Sequence, residues 1–289
     1  MRKDVWLVLL AAVLWGTTGT AQALAVESNP LAIGALRLFI GGGALFLVVL
    51  FKRSIRLRGL PKKALIISAL AMALYQPLFF TGVDWTGVAA GTVITICSAP
   101  IFAGIFEWFI YKRRPNWIWS TSTLLAIIGC VLLFESRGEI EFNSLGVVFS
   151  LGAGFVFAIY TFVNKELVNQ YPPDLVVAIV FSTAAIFLLP ILFFVDLQWL
   201  LEPSGVLSVL HLGLIATALA YFLFSVGLKG VSASTGVTLA LAEPVTAALL
   251  GIFLLKESMT TTGYFGILLL IVGLLLLSNK EKIMNYINK

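Results

Sequence analysis

Ten long apolar segments follow one another along the chain and leave room only for short connections. They cover residues 4–26, 31–51, 64–83, 87–110, 116–134, 144–165, 174–195, 205–228, 232–254 and 261–279. A run of about 20 apolar residues is long enough to cross a bilayer as a helix. Backbone polar groups must be paired inside lipid, which leaves only helices and closed barrels as spanning structures. The segments therefore predict an all-α integral membrane protein with ten transmembrane helices.

Composition agrees with a membrane protein and argues against nucleic-acid binding. Hydrophobic residues make up 60% of the 289 residues and charged residues 11%, whereas a soluble domain has about 25% charged residues. The pI of about 9.2 comes from basic residues in the short loops, where membrane topology explains them. Cys97 and Cys130 lack the spacing of a disulfide or metal site, and His211 has no second ligand nearby. We therefore expect no metal and no cofactor.

The basic residues predict the orientation of the chain. An even number of helices places both termini on one side of the membrane. Of the 19 Lys and Arg residues, 16 lie at the termini and loops of that side, whereas the opposite loops hold only Arg137 and Lys256. By the positive-inside rule, both termini are cytoplasmic. We expect a multi-pass protein of the cytoplasmic membrane.

The second half of the chain repeats the first. When residues 243–278 are aligned with residues 99–134 without a gap, Pro100 falls on Pro244, Lys112 on Lys256 and Gly129 on Gly273. The predicted repeats are residues 1–140 and 141–289, each with five helices. Five is an odd number, so the second repeat would enter the membrane from the opposite face. Inverted repeats of this kind are typical of secondary transporters, whose sites lie between the halves at broken helices.

Three stretches resemble one known family. They are "WGTTGT" in the first segment, "NPLAIGALR" at the start of the second, and "LAEPVTAALLGIFLLKESMTTTGYFGILLLIVGLLLL" near the C-terminus. They are similar to the drug/metabolite transporter superfamily, and specifically to its ten-span EamA-type members. The resemblance implies a membrane carrier of small metabolites, often an amino-acid or metabolite exporter. It also implies a central cavity between the two halves.

One carboxylate lies in the middle of an apolar segment. Glu243 would cost about 2.5–3.5 kcal/mol or more at the bilayer centre if it stayed charged and unpaired. Pro244 follows it and has no amide hydrogen, which predicts a free carbonyl at Ala240. In the functional interpretation, Glu243 carries a coupled proton or neutralises a cationic part of the substrate. In the structural interpretation, it only forms a hydrogen bond to that carbonyl. In the first repeat, the residue before the matching proline is Ala99. A carboxylate is therefore not required to satisfy the backbone at such a proline, which favours the functional interpretation.

Other polar and aromatic residues inside the segments are candidates for the cavity wall. Arg37 suits a substrate carboxylate, although its long side chain could instead reach the interface or bond to backbone carbonyls. For the aromatic residues, ordinary packing is the alternative. The predicted substrate-binding residues are Trp15, Thr18, Gln22, Arg37, Tyr75, Gln76, Thr95, Tyr160 and Tyr221, and the predicted helix kinks are at Pro77, Pro100 and Pro244.

The predicted function is secondary active transport of a small polar or zwitterionic metabolite, such as an amino acid, in the direction of export. We expect transport by alternating access, with proton coupling or exchange as the driving force. ATP is not the expected energy source within this chain, since it has no Walker A motif. A channel or lipid scramblase is the alternative. An intramembrane enzyme is less expected, because HExxH and GxSxG motifs are missing and no catalytic residue is indicated. The expected partners are a small-molecule substrate and membrane lipid. We expect the protein to function as a monomer, because one chain of ten helices can enclose a transport path.

Overall fold

The computed structural model describes residues 3–23, 28–52, 59–135, 143–254 and 256–287. Within these residues the secondary structure is helical throughout, and ten helices are long and apolar enough to cross a membrane. They are α1 (Lys3–Ala23), α2 (Pro30–Phe51), α3 (Lys62–Thr86), α4 (Val88–Tyr111), α5 (Trp117–Glu135), α6 (Ser144–Gln170), α7 (Pro173–Phe193), α8 (Pro203–Leu228), α9 (Ala233–Phe253) and α10 (Thr261–Ser278). A short helix, α11 (Lys280–Ile287), follows. The predicted all-helical membrane architecture is confirmed.

Predicted and observed helix ends agree within a few residues, and the largest difference is at the end of α6. This helix runs to Gln170 rather than to residue 165. The extra residues include the polar Glu166 and Gln170, but tertiary contacts hold this turn. Leu167 and Val168 are buried in the core, and the Tyr111 hydroxyl donates to Glu166. Hydropathy does not detect such contacts. The predicted end of the first segment, residues 24–26, lies outside the described residues.

The start of α1 and the end of α10 lie at the same face of the helix bundle. Val5, near the start of α1, lines one surface cavity together with Leu277 near the end of α10 and with Ser232 before α9. Lys52 at the end of α2 forms an ion pair of 3.2 Å with Asp174 at the start of α7 on this side. We call it the terminal face, and the other side the opposite face.

Glycines allow the closest contacts between helices. A Cβ atom added to Gly129 in α5 would lie 2.6 Å from the carbonyl oxygen of Gly266 in α10. One added to Gly82 in α3 would lie 2.4 Å from Ser150 Oγ in α6. Close approach of backbones at small residues is the usual basis of helix packing in membranes. The pairs α5 with α10 and α3 with α6 are therefore tightly fitted.

Three helices are interrupted midway among the described residues. In α1 the interruption is at Thr17, whose hydroxyl donates to the Leu14 carbonyl at 2.7 Å. In α8 a π-helical segment covers Leu214–Leu219. In α9 two turn residues at 240–241 separate Ala233–Leu239 from Ala242–Phe253. By contrast, α3 and α4 continue as helices through Pro77 and Pro100. Irregular backbone at membrane depth is tolerated where it is packed in protein or lines a cavity.

Candidate substrate cavity at the interrupted helices

A cavity of about 100 Å³ lies among α1, α2, α3, α4, α6, α8 and α9. This volume is well above the roughly 10–15 Å³ that one water molecule needs by the same measure. Glu243, one of its lining residues, is the eleventh residue of the 21-residue helix α9. The cavity is therefore halfway through the bundle, and it can hold several waters or a small solute.

Most of the predicted site residues line this cavity. Eight of the nine predicted substrate-binding residues do so, namely Trp15, Thr18, Gln22, Arg37, Tyr75, Gln76, Thr95 and Tyr221, together with Glu243. Tyr160 does not line it. Tyr160 is fully buried beside the cavity, with its ring centroid 5.8 Å from that of Tyr221. Pro77, Pro100 and Pro244 are not in the wall either, but the residue before each of them is.

Apolar residues of the wall were missed by the sequence analysis. They are Ile33, Phe79, Phe80, Ile96, Ala99, Phe157, Val237 and Ala240. Phe157 was detectable in principle, because matching Pro30 after α1 with Pro172 after α6 places Phe157 on Trp15. For the others, no local signal distinguishes an apolar residue that faces a cavity from one that faces lipid.

The interruption in α9 places Glu243 at the start of a half-helix. The amide of Glu243 donates to the Ala240 carbonyl at 2.9 Å, and the amide of Leu241 donates to Thr238 at 3.1 Å. The expectation of a free carbonyl at Ala240 is therefore wrong, because a tight turn replaces the bond that Pro244 cannot make. The Glu243 carboxylate is not required to satisfy this backbone. Its side chain is half-buried, and it makes neither a hydrogen bond nor an ion pair with any residue that the structure describes.

Position at a half-helix N-terminus also favours negative charge at Glu243. The residue lies in the first turn of Ala242–Phe253, where the helix dipole presents partial positive charge. Half-helix termini that point at a central site are a recurrent feature of transporters. Glu243 is thus an acid held beside a cavity by backbone geometry rather than by a side-chain partner.

The second charged residue of the cavity is held by α8. Arg37 Nε donates to Thr217 Oγ1 at 3.0 Å, and a terminal nitrogen donates to the Ala216 carbonyl at 3.4 Å. Both acceptors belong to the π-helical segment. A guanidinium has five N–H donors, so donors remain for a ligand in the cavity. Arg37 therefore bonds to backbone, as one sequence interpretation expected, and it also lines the cavity.

Aromatic rings form much of the remaining wall. Tyr75 stacks on Phe79 with ring centroids 5.7 Å apart and lies 5.8 Å from Phe157. Trp15 lies 4.7 Å from Tyr221. A mostly apolar wall with a few placed polar groups is typical of small-molecule sites. Here the placed groups include one guanidinium and one carboxyl group that do not form an ion pair with each other.

Comparison with known proteins agrees with this architecture. The sequence profile described as the EamA-like transporter family matches residues 2–135 and again residues 144–279. The uncharacterized transporter YwfM of Bacillus subtilis (strain 168) is 49% identical over 272 residues, which cover 94% of this chain and 92% of that protein. A probable amino-acid metabolite efflux pump of Salmonella typhimurium is 27% identical over 94% of each chain.

The fold also matches a solved crystal structure with a TM-score of 0.84, at 18% identity over 96% of each chain. That likeness concerns the fold alone. The two profile matches cover nearly all of the sequence, and both the profile and the relative at 49% identity are those of transporters. The protein therefore belongs to the EamA-like transporter family.

Proposed function

We propose that the protein is a secondary active transporter that exports a small zwitterionic metabolite, such as an amino acid, across the cytoplasmic membrane. The observation that carries this proposal is the pair of opposite charges in one cavity. Arg37 and Glu243 both line it, and they form no ion pair with each other. The name of the Salmonella typhimurium relative, a probable amino-acid metabolite efflux pump, supports the same class of substrate.

The wall residues suit the two ends of such a molecule. The guanidinium of Arg37 matches a carboxylate, which it can bind through two parallel hydrogen bonds. The carboxylate of Glu243 matches an ammonium group, and the rings of Trp15 and Tyr75 can add cation–π attraction. The aromatic wall then accepts an apolar side chain. A solute with only one of the two charges would leave the other protein charge unpaired in a low-dielectric site, at a cost in affinity.

Alternating access requires two halves that can exchange their arrangements, and inverted repeats supply them. In the alignment of the two halves, Gly129 corresponds to Gly273 and Gly266 corresponds to Ser122. The close contact of Gly129 with Gly266 has its counterpart at these positions, because a Cβ added to Gly273 would lie 2.7 Å from the carbonyl oxygen of Ser122. A reciprocal pair of contacts of this kind is what a two-fold axis produces.

The other helices support the same symmetry. The contact of Gly82 with Ser150 between α3 and α6 has its counterpart in the contact of Gly227 with Val8 between α8 and α1. This pair of contacts aligns α8 with α3 so that Gly227 corresponds to Gly82. It also aligns α6 with α1 so that Ser150 corresponds to Val8. Together with the double profile match, these pairs support repeats at residues 1–140 and 141–289 that cross the membrane in opposite directions.

Glu243 is the group we assign to coupling. It is accessible from the cavity, lacks a partner among the described residues and lies where the path changes sides. A proton taken up on one side and released on the other would allow a proton gradient to drive export. Binding of a substrate ammonium would compete with that proton for the same carboxylate.

The test begins with a thermal-shift screen of amino acids, amines and nucleosides on the purified protein, followed by flux of each hit in proteoliposomes. A carrier shows saturable flux and counterflow into vesicles loaded with substrate. Linear flux without counterflow would instead indicate a channel. Lipid movement between leaflets without solute flux would indicate a scramblase.

Coupling is tested with Glu243→Gln. We expect substrate-driven proton movement to disappear, whereas exchange of substrate for substrate survives. Glu107→Gln is the matched control, because Glu107 lies in α4 outside the cavity and accepts hydrogen bonds from Ser234. The control should keep its coupling. Proton movement at the wild-type rate in Glu243→Gln would remove this residue from the coupling mechanism.

A further inference from the structure

On the side of the terminal face, aromatic rings close the cavity. Trp15 lies 4.7 Å from Tyr221 and 5.1 Å from Phe224, and Tyr221 lies 4.5 Å from Phe181, measured between ring centroids. Phe181, Phe224 and Tyr160 are fully buried. We call this layer the aromatic floor, and it consists of Trp15, Phe157, Tyr160, Phe181, Tyr221 and Phe224.

Polar groups are buried just beyond the floor. Thr161 and Asn164 on α6 and Ser225 on α8 are all fully buried, and Asn164 follows Tyr160 by one helical turn, about 6 Å closer to the terminal face. We call these three residues the polar cluster. Asn164 Nδ2 donates to Ser225 Oγ at 2.9 Å. The hydroxyl of Tyr160 lies towards Ser225 without the geometry of a hydrogen bond.

The polar cluster is poorly satisfied in this arrangement. Asn164 Oδ1 and Thr161 Oγ1 find no hydrogen-bond partner among the described residues. Turning the amide of Asn164 over would only exchange which of its ends is unpaired. A buried polar group without a partner costs about 1–3 kcal/mol, and apolar residues would pack these helices without that cost. The cluster is explained if a different arrangement of the helices exposes it to water.

The repeat relation identifies that arrangement. The alignment of α6 with α1 and of α8 with α3, which the close glycine contacts fix, gives each of these residues a counterpart in the first repeat. Asn164 corresponds to Gln22, Tyr160 to Thr18, Phe224 to Phe79 and Ser225 to Phe80. All four counterparts line the cavity. In the second repeat, residues of the floor and the cluster therefore occupy the positions that cavity-lining residues occupy in the first repeat.

We propose that the polar cluster lines the second half of the transport path, through which water and a small polar solute reach the terminal face when the aromatic floor separates. In that state the half of the cavity lined by Gln22 closes. This inference rests on the proposed transport function, and it assigns to Thr161, Asn164 and Ser225 a role in release or uptake at the terminal face.

Thiol accessibility tests the proposal without knowledge of the substrate. Cys97 and Cys130 are first replaced by Ala, and single cysteines are then introduced as Gln22→Cys and Asn164→Cys. Sealed vesicles of each orientation are treated with a charged, membrane-impermeant methanethiosulfonate. We expect Gln22→Cys to react only from the opposite face and Asn164→Cys only from the terminal face.

The rate and the controls decide whether the reaction reports a transport state. A state populated at about 0.1–10% would make Asn164→Cys about tenfold to a thousandfold slower than a fully exposed thiol, for which Arg113→Cys is the reference. Ala126→Cys, buried in the contact of α5 with α10, should not react. In the Gln22→Cys/Asn164→Cys protein, prior modification from the terminal face should slow the reaction of Gln22→Cys several-fold.

The proposal would be overturned if the Asn164→Cys thiol reacted from neither face, or no faster than Ala126→Cys. It would also be overturned if prior modification from the terminal face left the reaction rate of Gln22→Cys unchanged. If Asn164→Cys does not accumulate, Thr161→Cys takes its place. Failure of the proposed function is a separate result. If the two thiols still react from opposite faces but no amino-acid flux is found, the proposed substrate class is refuted and the proposed path at the terminal face is retained.

Discussion

Two ionisable side chains, Arg37 and Glu243, lie at membrane depth beside one cavity. A charge near the bilayer centre costs about 2.5–3.5 kcal/mol or more, so Arg37 and Glu243 need a polar environment. Arg37 obtains part of it from the π-helical segment of α8, and Glu243 obtains part of it from the half-helix that it begins. The two residues form no ion pair with each other, and both line the cavity.

At this scale we predict that Arg37→Gln selectively weakens binding of carboxylate-bearing solutes. A hydrogen bond to a charged group contributes about 1.5–3 kcal/mol, which corresponds to a loss of about tenfold to a hundredfold in affinity. The measurement is a titration of the purified protein with an amino acid found in the thermal-shift screen and with the amine that lacks its carboxylate. Binding of the amine should change little. Equal losses of affinity for both ligands would show that Arg37 maintains the shape of the cavity rather than binding the carboxylate of the ligand.

At the scale of helices, three interruptions surround one cavity. The turn in α1, the π-helical segment in α8 and the turn in α9 each have wall residues within a few positions. π-Helical segments often mark functional sites, and here one presents Thr217 and Ala216 to Arg37.

We predict that Thr217→Val weakens amino-acid binding by about tenfold, at the lower end of the roughly 1.5–3 kcal/mol expected for a bond to a charged donor. Valine keeps the shape of threonine but removes the oxygen that accepts from Arg37 Nε. Thr217→Ser keeps the oxygen and should bind normally. The affinity of both variants is measured as for Arg37. Normal binding by Thr217→Val would mean that this contact does not position the guanidinium.

Helix packing gives a prediction about stability. Gly129→Leu should destabilise the protein by about 1–3 kcal/mol through overpacking, because backbone of α10 lies 2.6 Å from the position of an added Cβ. Its melting temperature in detergent should fall by several degrees. Gly43→Ala in α2 is the control, since no atom of a neighbouring helix lies within 4 Å of an added Cβ there. An unchanged melting temperature for Gly129→Leu would contradict the close contact of α5 with α10.

At the scale of the whole molecule, the terminal face is expected to be cytoplasmic. Basic loops remain on the cytoplasmic side during insertion, and the described part of the terminal face includes Arg113, Arg114 and Lys280 around one surface cavity. In intact cells expressing the cysteine-free background, a membrane-impermeant thiol reagent should label Ser258→Cys at the opposite face. It should label Arg113→Cys only after the cells are opened. The reverse pattern would invert the orientation and the direction assigned to transport.

The sequence alone determined the ten helices and the placement of both chain ends at one face. Lipid requires long apolar helices, and the number of crossings then sets the side on which each loop lies. Most polar residues of the cavity were also predictable, because a polar side chain inside lipid is costly unless it meets a cavity or a partner.

Only the tertiary structure decided which face of each helix turns inward. In lipid both faces of a helix are apolar, so hydrophobic periodicity does not separate Phe157 in the wall from a phenylalanine that contacts lipid. Tyr160 therefore looked like a wall residue, although it lies in the aromatic floor. The backbone bond from Glu243 to Ala240 and the attachment of Arg37 to α8 also depend on how interrupted helices meet. That meeting is set by packing between distant segments, which no local pattern of residues records.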